Sequence, residues 1–198
     1  MSQGHMSAKR KDKVICFAYG SNMFSPRMCH PDRVPSARPV GIGYVTGHQL
    51  RFDKAGKDGS GKCDAEETQN ASDRVYGALY SIDKSEQHKL DDAEGLRRGY
   101  DETPVKVVTA TRVVPAVMYY ATSKDPSLKP YHWYKALVVA GAVEHGLPFP
   151  YVELLRTVDS VQDPVATRRA EHERLLTAGE LARHSARSRR RRPRGLGA

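Results

Sequence analysis

The sequence predicts an α+β fold. Strand-forming patterns predominate before residue 121, helical patterns follow it, and no internal repeat imposes another architecture. At 198 residues the chain suits one domain with a substantial core. The expected organisation is a disordered tail at 1–13, a folded domain at 14–182 and an Arg-rich disordered tail at 183–198.

The first element is the apolar, β-forming run 14–19, which reads as a buried strand. Gly20-Ser21-Asn22 stops it with turn-forming residues. Residues 22–39 read as irregular or briefly helical, because Pro26, Pro31, Pro35 and Pro39 exclude a long helix. Residues 40–52 read as paired strands, followed by a flexible Gly-rich loop to about Lys62 and a strand at 74–82. Helix-friendly composition marks 84–93, with Ser81 or Asp83 as the cap and Gly95 placed to end it. A loop over 95–101 leads to strands at 105–114 and 116–121, with a turn near Pro115. Residues 131–145 form a helix with an apolar band at Tyr134, Leu137, Val138 and Gly141, ended by Gly146-Leu147-Pro148. A short helix at 150–157 follows. Asp163-Pro164 reads as an N-cap with Pro at N1, opening a last helix to about Arg183.

Charge is unevenly placed. The net charge is +9, but residues 183–198 carry seven arginines and no acid, which leaves about +2 for the rest. Such a run fits a solvated tail or nonspecific attraction to RNA, DNA or an acidic surface. No stretch has the length and apolarity of a membrane-spanning helix, and residues 1–13 lack the apolar region of a secretory signal. Met1-Ser2-Gln3-Gly4-His5-Met6 resembles a cloning remnant, with Met6 as the candidate native start. Cys16, Cys29 and Cys63 show no paired spacing, so a cytoplasmic location is expected and structural zinc is not.

Two segments carry the chemistry. The turn at Gly20-Ser21-Asn22 leaves a strand with backbone N–H groups that can form an anion-binding concavity, although an ordinary strand-ending turn has the same composition. Leu90-Asp91-Asp92-Ala93-Glu94-Gly95 places Glu94 in the last turn of a helix. There the dipole disfavours negative charge and, with burial, would raise its pKa into the range of a proton shuttle. A solvated acidic face would look the same. Other chemistries fit less well. His88 and Asp92 have metal-ligand spacing but no third ligand nearby, Ser21 lacks a nucleophile elbow, and the 56–62 loop has Cys63 where a phosphate loop needs a hydroxyl.

Taken in order and spacing, these segments resemble the gamma-glutamylcyclotransferase family, which includes AIG2-like proteins. Gly77-Ala78-Leu79-Tyr80, Gly99-Tyr100, Met118-Tyr119-Tyr120, Tyr134-Lys135, and the run from Gly141-Ala142 to Glu144-His145-Gly146-Leu147-Pro148 extend the likeness over about 14–156. The resemblance implies a small mixed β-barrel flanked by helices and an enzyme without metal or organic cofactor. It implies cleavage of a γ-glutamyl amide by the substrate's own α-amine, giving 5-oxoproline and a free amine or amino acid. Glu94 is then the general acid/base. Tyr19, Gly20, Ser21, Asn22, Tyr100, Tyr119 and Tyr134 are the binding residues, with the 20–22 N–H groups on either the α-carboxylate or the oxyanion. Ten tyrosines against four phenylalanines suit a pocket with apolar walls and polar tips. The expected partners are a small γ-glutamyl molecule and a second copy of the chain, with nucleic acid only through the Arg-rich tail. The alternative is a barrel that binds a small metabolite without turning it over.

Overall fold

A computed structural model describes residues 12–94, 96–97 and 99–191, the side chains of residues 93, 94 and 182–191 excepted. Its strands are β1 Lys13–Ala18, β2 Arg38–Thr46, β3 His48–Ala55, β4 Gly61–Glu67, β5 Arg74–Asp83, β6 Tyr100–Val108 and β7 Val113–Ala121. Its helices are α1 Ser25–Met28, α2 Gln87–Glu94, α3 His132–His145, α4 Phe149–Thr157 and α5 Ala166–Arg191. Five strands close a barrel in the order β1-β5-β2-β6-β7, and β3 and β4 form a separate pair. All barrel pairings are antiparallel except β1 with β7, which run parallel through Cys16 and Val117. The expected α+β class with a small mixed barrel is therefore what the chain adopts. No helix of the described residues is long and apolar enough to cross a membrane.

The parallel closure positions the site. β1 and β7 deliver their C-terminal ends, Ala18 and Ala121, to one rim of the barrel. β6 runs antiparallel to β7, so its first residue, Tyr100, pairs with Ala121 at that rim. The strands below it bury Phe17, Val75, Leu79, Val107 and Met118, all at most 2% exposed. Burying such side chains contributes roughly 1.5–3 kcal/mol each before chain entropy is subtracted.

Several boundaries differ from the sequence reading. Residues 40–52 do contain two strands, but β2 pairs with β5 and β6 while β3 pairs with β4, so the two are not partners. Strand β4 escapes a period-2 reading because Lys62, Asp64 and Glu66 interleave with only Cys63 and Ala65. The turn after β6 falls at 109–112, where Thr109 donates its N–H to Arg112 O, rather than near Pro115. Pro115 stands inside β7 opposite Lys106, on a stretch whose other edge meets β1 only at Val117, and a missing N–H is tolerated there. The 56–60 segment is an ordered turn in which Asp58 Oδ1 accepts both the Ser60 N–H and its hydroxyl.

Helix ends follow the same logic. Gly146 ends α3 in the left-handed region (φ 68°), and Leu147 N–H bonds Ala142 O. Asp83 does not cap the turn before α2; its carboxylate meets Lys13 instead. Asp163 bonds the Val165 N–H, but α5 begins at Ala166, so Pro164 precedes the helix rather than starting it. The α5 backbone continues to Arg191, eight residues past the expected boundary at 183. Arg and Ala favour helix, and no Gly or Pro intervenes between Gly179 and Pro193. Residues 1–11 of the first predicted tail and 192–198 of the second lie outside the described residues.

Candidate active site

At the rim of the barrel lies a cavity of about 50 Å³. Its walls include all seven binding residues expected from the sequence: Tyr19, Gly20, Ser21, Asn22, Tyr100, Tyr119 and Tyr134. Cys16, Phe17, Ala18, Cys63 and Leu90 complete it. Leu90 comes from α2, so the helix that ends at Glu94 forms one wall. The Glu94 side chain itself lies outside the described residues, as do Gly95 and Arg98.

The turn at 20–22 is a single turn of 3-10 helix, Ser21–Met23, whose first bond runs from Met23 N–H to Gly20 O. The N–H groups of Gly20, Ser21 and Asn22 come before that bond in the chain, at the N-terminal end of the turn. Gly20 has φ −108°, so left-handed freedom is not what it supplies. Its value is closeness: a Cβ there would lie 3.1 Å from Cys63 Cβ and 3.2 Å from Tyr134 Oη. The turn is anchored from two sides. Arg33 Nη2 donates to Asn22 Oδ1 at 2.9 Å. Beneath it, the buried Tyr80 hydroxyl donates to Met23 O at 2.7 Å and lies 2.9 Å from both Ser25 Oγ and His145 Nε2. Burial drives the pKa of that phenol well upward. Gly141 lets α3 approach the same turn, since a Cβ would fall 2.6 Å from the Phe24 nitrogen.

The tyrosines divide into two kinds. Tyr19 donates to Tyr119 O at 2.5 Å, Tyr100 to Cys63 O at 2.6 Å, and Tyr119 to Asp91 Oδ1 at 2.5 Å. These three spend their hydroxyl protons on the protein. Tyr134 differs: its hydroxyl accepts the Cys63 N–H at 3.0 Å. Sequence reasoning anticipated the four rings but not these partners. Cys63 was missed because β4 was missed, yet its backbone is gripped on both polar atoms by site tyrosines. Asp91 was seen only as part of an acidic run.

An aromatic and ionic layer backs Tyr134. Lys62 Nζ sits 4.6 Å from the Tyr134 ring centroid and 4.7 Å from that of Trp133, and bonds Asp58 Oδ2 at 2.7 Å. Desolvation pulls its pKa down, the Asp58 pair holds it up, and the lowering prevails. Trp133 Nε1 donates to Asp163 Oδ2 at 2.8 Å, and Arg168 clasps the same carboxylate through Nε and Nη2. Those bonds hold the Asp163 carboxyl far below the usual range. His172 stacks on Trp133 at 3.8 Å, and burial with help from Arg27 brings its pKa down to about 4. Among the described residues no group of three or more His, Cys, Asp or Glu side chains could hold a metal ion.

The same frame is found in known proteins. A gamma-glutamylcyclotransferase from Homo sapiens is 30% identical over 174 residues, covering 86% of this chain and 91% of the relative. The chain belongs to the gamma-glutamylcyclotransferase family. The corresponding protein of Bos taurus is 28% identical over 185 residues, with 87% and 93% covered. The AIG2-like family model matches residues 74–155, from β5 into α4. A solved gamma-glutamyl cyclotransferase superposes with a TM-score of 0.75 at 26% identity, covering 84% of this chain and 99% of that one. An uncharacterised protein from Homo sapiens gives 0.74 at 27% identity with the same coverage.

Proposed function

We propose that this family member is a γ-glutamylcyclotransferase that converts a γ-glutamyl amide to 5-oxoproline and a free amine or amino acid. The observation that carries the reading is the rim cavity. It joins an N–H-rich turn, four tyrosines and the wall of the helix that ends at Glu94 in one small chamber. The reaction closes a five-membered ring, so holding the substrate folded removes much of the barrier. The walls suit that task because they are fixed by the protein's own hydrogen bonds rather than by the ligand.

In the proposed sequence the substrate's α-ammonium gives a proton to the Glu94 carboxylate. The freed amine attacks the γ-carbonyl carbon, and the carbonyl oxygen becomes an oxyanion. The attacking nitrogen, cationic after attack, releases its second proton to water; the oxyanion then re-forms the carbonyl, the C–N bond of the amide breaks, and the leaving nitrogen takes the proton back from Glu94. The N–H groups of Gly20, Ser21 and Asn22 bind an anionic oxygen of the substrate, either the α-carboxylate or the oxyanion.

The test is a product assay. The purified protein is incubated with γ-glutamyl amino acids and γ-glutamyl amines, and 5-oxoproline is detected by mass spectrometry beside Glu94→Gln. The expected result is product from the wild type and loss of at least two orders of magnitude in the variant. A Gln variant with near-wild-type turnover removes Glu94 from the mechanism. Absence of product from every substrate, with calorimetric binding retained, converts the reading to a non-catalytic binding barrel.

A further inference from the structure

The β3–β4 hairpin stands apart from the barrel sheet, yet it is fastened to the site. Tyr100 donates to Cys63 O of β4, and Tyr134 accepts the Cys63 N–H. On the neighbouring strand, Lys54 is the single buried residue of β3, at 7% exposed. The register turns it inward. Arg51 pairs with Asp64 and Lys54 with Lys62, so β3 spends one residue more than β4 between the two pairs, a bulge that re-aims the side chain after it. The Lys54 ammonium sits 4.8 Å from the centroid of the Tyr100 ring, and Tyr100 is a wall of the cavity. Gly99 leaves room for it: a Cβ there would fall 3.1 Å from both Cε and Nζ of Lys54, and a φ of 127° suits glycine.

We infer that Lys54 is a specificity-determining residue, its charge favouring substrates with a carboxylate on the leaving part over those whose leaving part is uncharged, a role that rests on the γ-glutamyl reading given above. A buried ammonium costs desolvation that an apolar side chain of similar length would not, so packing alone does not call for lysine here. Attraction to the face of Tyr100 offsets part of that cost. What lysine adds is a positive field inside a low-dielectric wall, where a charge acts more strongly than in water. The size of the cavity sets what that field acts on. About 50 Å³ is room for a few water molecules, so the γ-glutamyl unit fills it and the leaving part extends beyond it. The hairpin that bears Lys54 borders the cavity through Cys63 and meets Tyr100 there. A leaving part lying along that border enters the field of the ammonium. A carboxylate is attracted, a neutral amide gains nothing, and a second ammonium is repelled.

The experiment pairs γ-glutamylalanine with γ-glutamylalaninamide, which differ in that one charge. Wild type, K54M, K54Q and K54R are compared by kcat/KM for 5-oxoproline release. Calorimetric Kd values for the same two compounds, taken in a Glu94→Gln background, read the discrimination without turnover. The wild type should favour the carboxylate compound about ten-fold or more in both measures. K54R should keep that preference, while K54M and K54Q should shrink it to within about two-fold, chiefly by losing the carboxylate compound. The thermal midpoint of K54M should equal or exceed that of the wild type, which a lysine needed for packing would not allow. K54Q decides the ratio if K54M does not fold. A wild type indifferent to the charge overturns the inference, as does a K54M or K54Q protein with the wild-type ratio. A charge preference in binding without any 5-oxoproline from the wild type upholds the role of Lys54 and removes the catalytic reading instead. Binding of neither compound overturns both.

Discussion

Replacing Tyr119 by Phe separates two roles that the sequence alone assigns to one residue. A wall tyrosine that donates to substrate and a tyrosine that ties α2 to the barrel look alike in sequence. The structure places the hydroxyl 2.5 Å from Asp91 Oδ1, bridging β7 and the helix that ends at Glu94. A hydrogen bond to a carboxylate is worth about 1.5–3 kcal/mol. Asp91 is only partly buried, so water recovers some of its solvation, and Tyr119→Phe should cost about 1.5 kcal/mol. Asp91→Ala removes the same bond from the other side. If the two groups act only through each other, the double variant is scarcely less stable than either single one. The coupling energy from urea unfolding should then be about 1–2 kcal/mol. Turnover should fall in parallel in all three proteins, because each loosens the same wall, while KM for a γ-glutamyl substrate changes little. The reasoning is refuted if Tyr119→Phe alone raises KM ten-fold or more while Asp91→Ala leaves both stability and turnover intact. In that case the phenol proton serves the ligand.

Other predictions follow from the same geometry. Gly20→Ala puts a methyl group 3.1 Å from Cys63 and 3.2 Å from the Tyr134 hydroxyl, so kcat/KM should drop roughly ten-fold for about 1 kcal/mol of stability, read by steady-state kinetics and urea titration. Asp163→Ala strands the Trp133 indole N–H and removes a bond at the start of α5, and denaturant unfolding should show a loss of about 3 kcal/mol. The Asp163 carboxyl is depressed in the fold, so its contribution is complete above the unfolded value near 4 and is lost as pH falls below it. His172 is depressed to about 4, so stability should be full above its unfolded value of about 6.5 and decline as pH falls toward 4. The shift alone corresponds to roughly 3 kcal/mol, and the partly solvated ring reduces the expected loss to about 1–2 kcal/mol. His172→Gln should flatten thermal midpoints over that window, and an unchanged pH profile would mean that the imidazole is not held neutral.

What the sequence conveyed and what it withheld divide along one physical line. Patterns that repeat locally were legible: the apolar run that becomes β1, the β5 strand, the α3 band and the Gly146 stop all declare themselves within a few residues. The cavity residues were legible through resemblance, because Tyr19, Tyr100, Tyr119 and Tyr134 stand in recognisable blocks. Pairing was not legible. That β2 joins β5 instead of β3 follows from closure of the whole barrel, which no local window contains. The polar strand β4 was hidden for a related reason, since Lys62 and Asp64 become favourable in a strand only when Tyr131, Trp133, Tyr134, Asp58 and Lys124 arrive from elsewhere.

The hydroxyl partners show the same division at the scale of single bonds. From sequence, four tyrosines near one pocket are four equivalent donors. In the fold, Tyr19, Tyr100 and Tyr119 donate to acceptors in the protein, namely a carbonyl of β7, a carbonyl of β4 and a carboxylate of α2. Each bond therefore links parts of the chain that are far apart in sequence and meet at the rim of the barrel. A chamber built this way keeps its shape before the ligand enters, which is the condition for a ring closure that depends on orientation more than on strong acids or bases. It also means that loss of a wall hydroxyl should be felt first in turnover and stability together, and only second in ligand affinity. Tyr134 is tied in from another side, since its hydroxyl accepts the Cys63 N–H and the Lys62 ammonium stands over its ring.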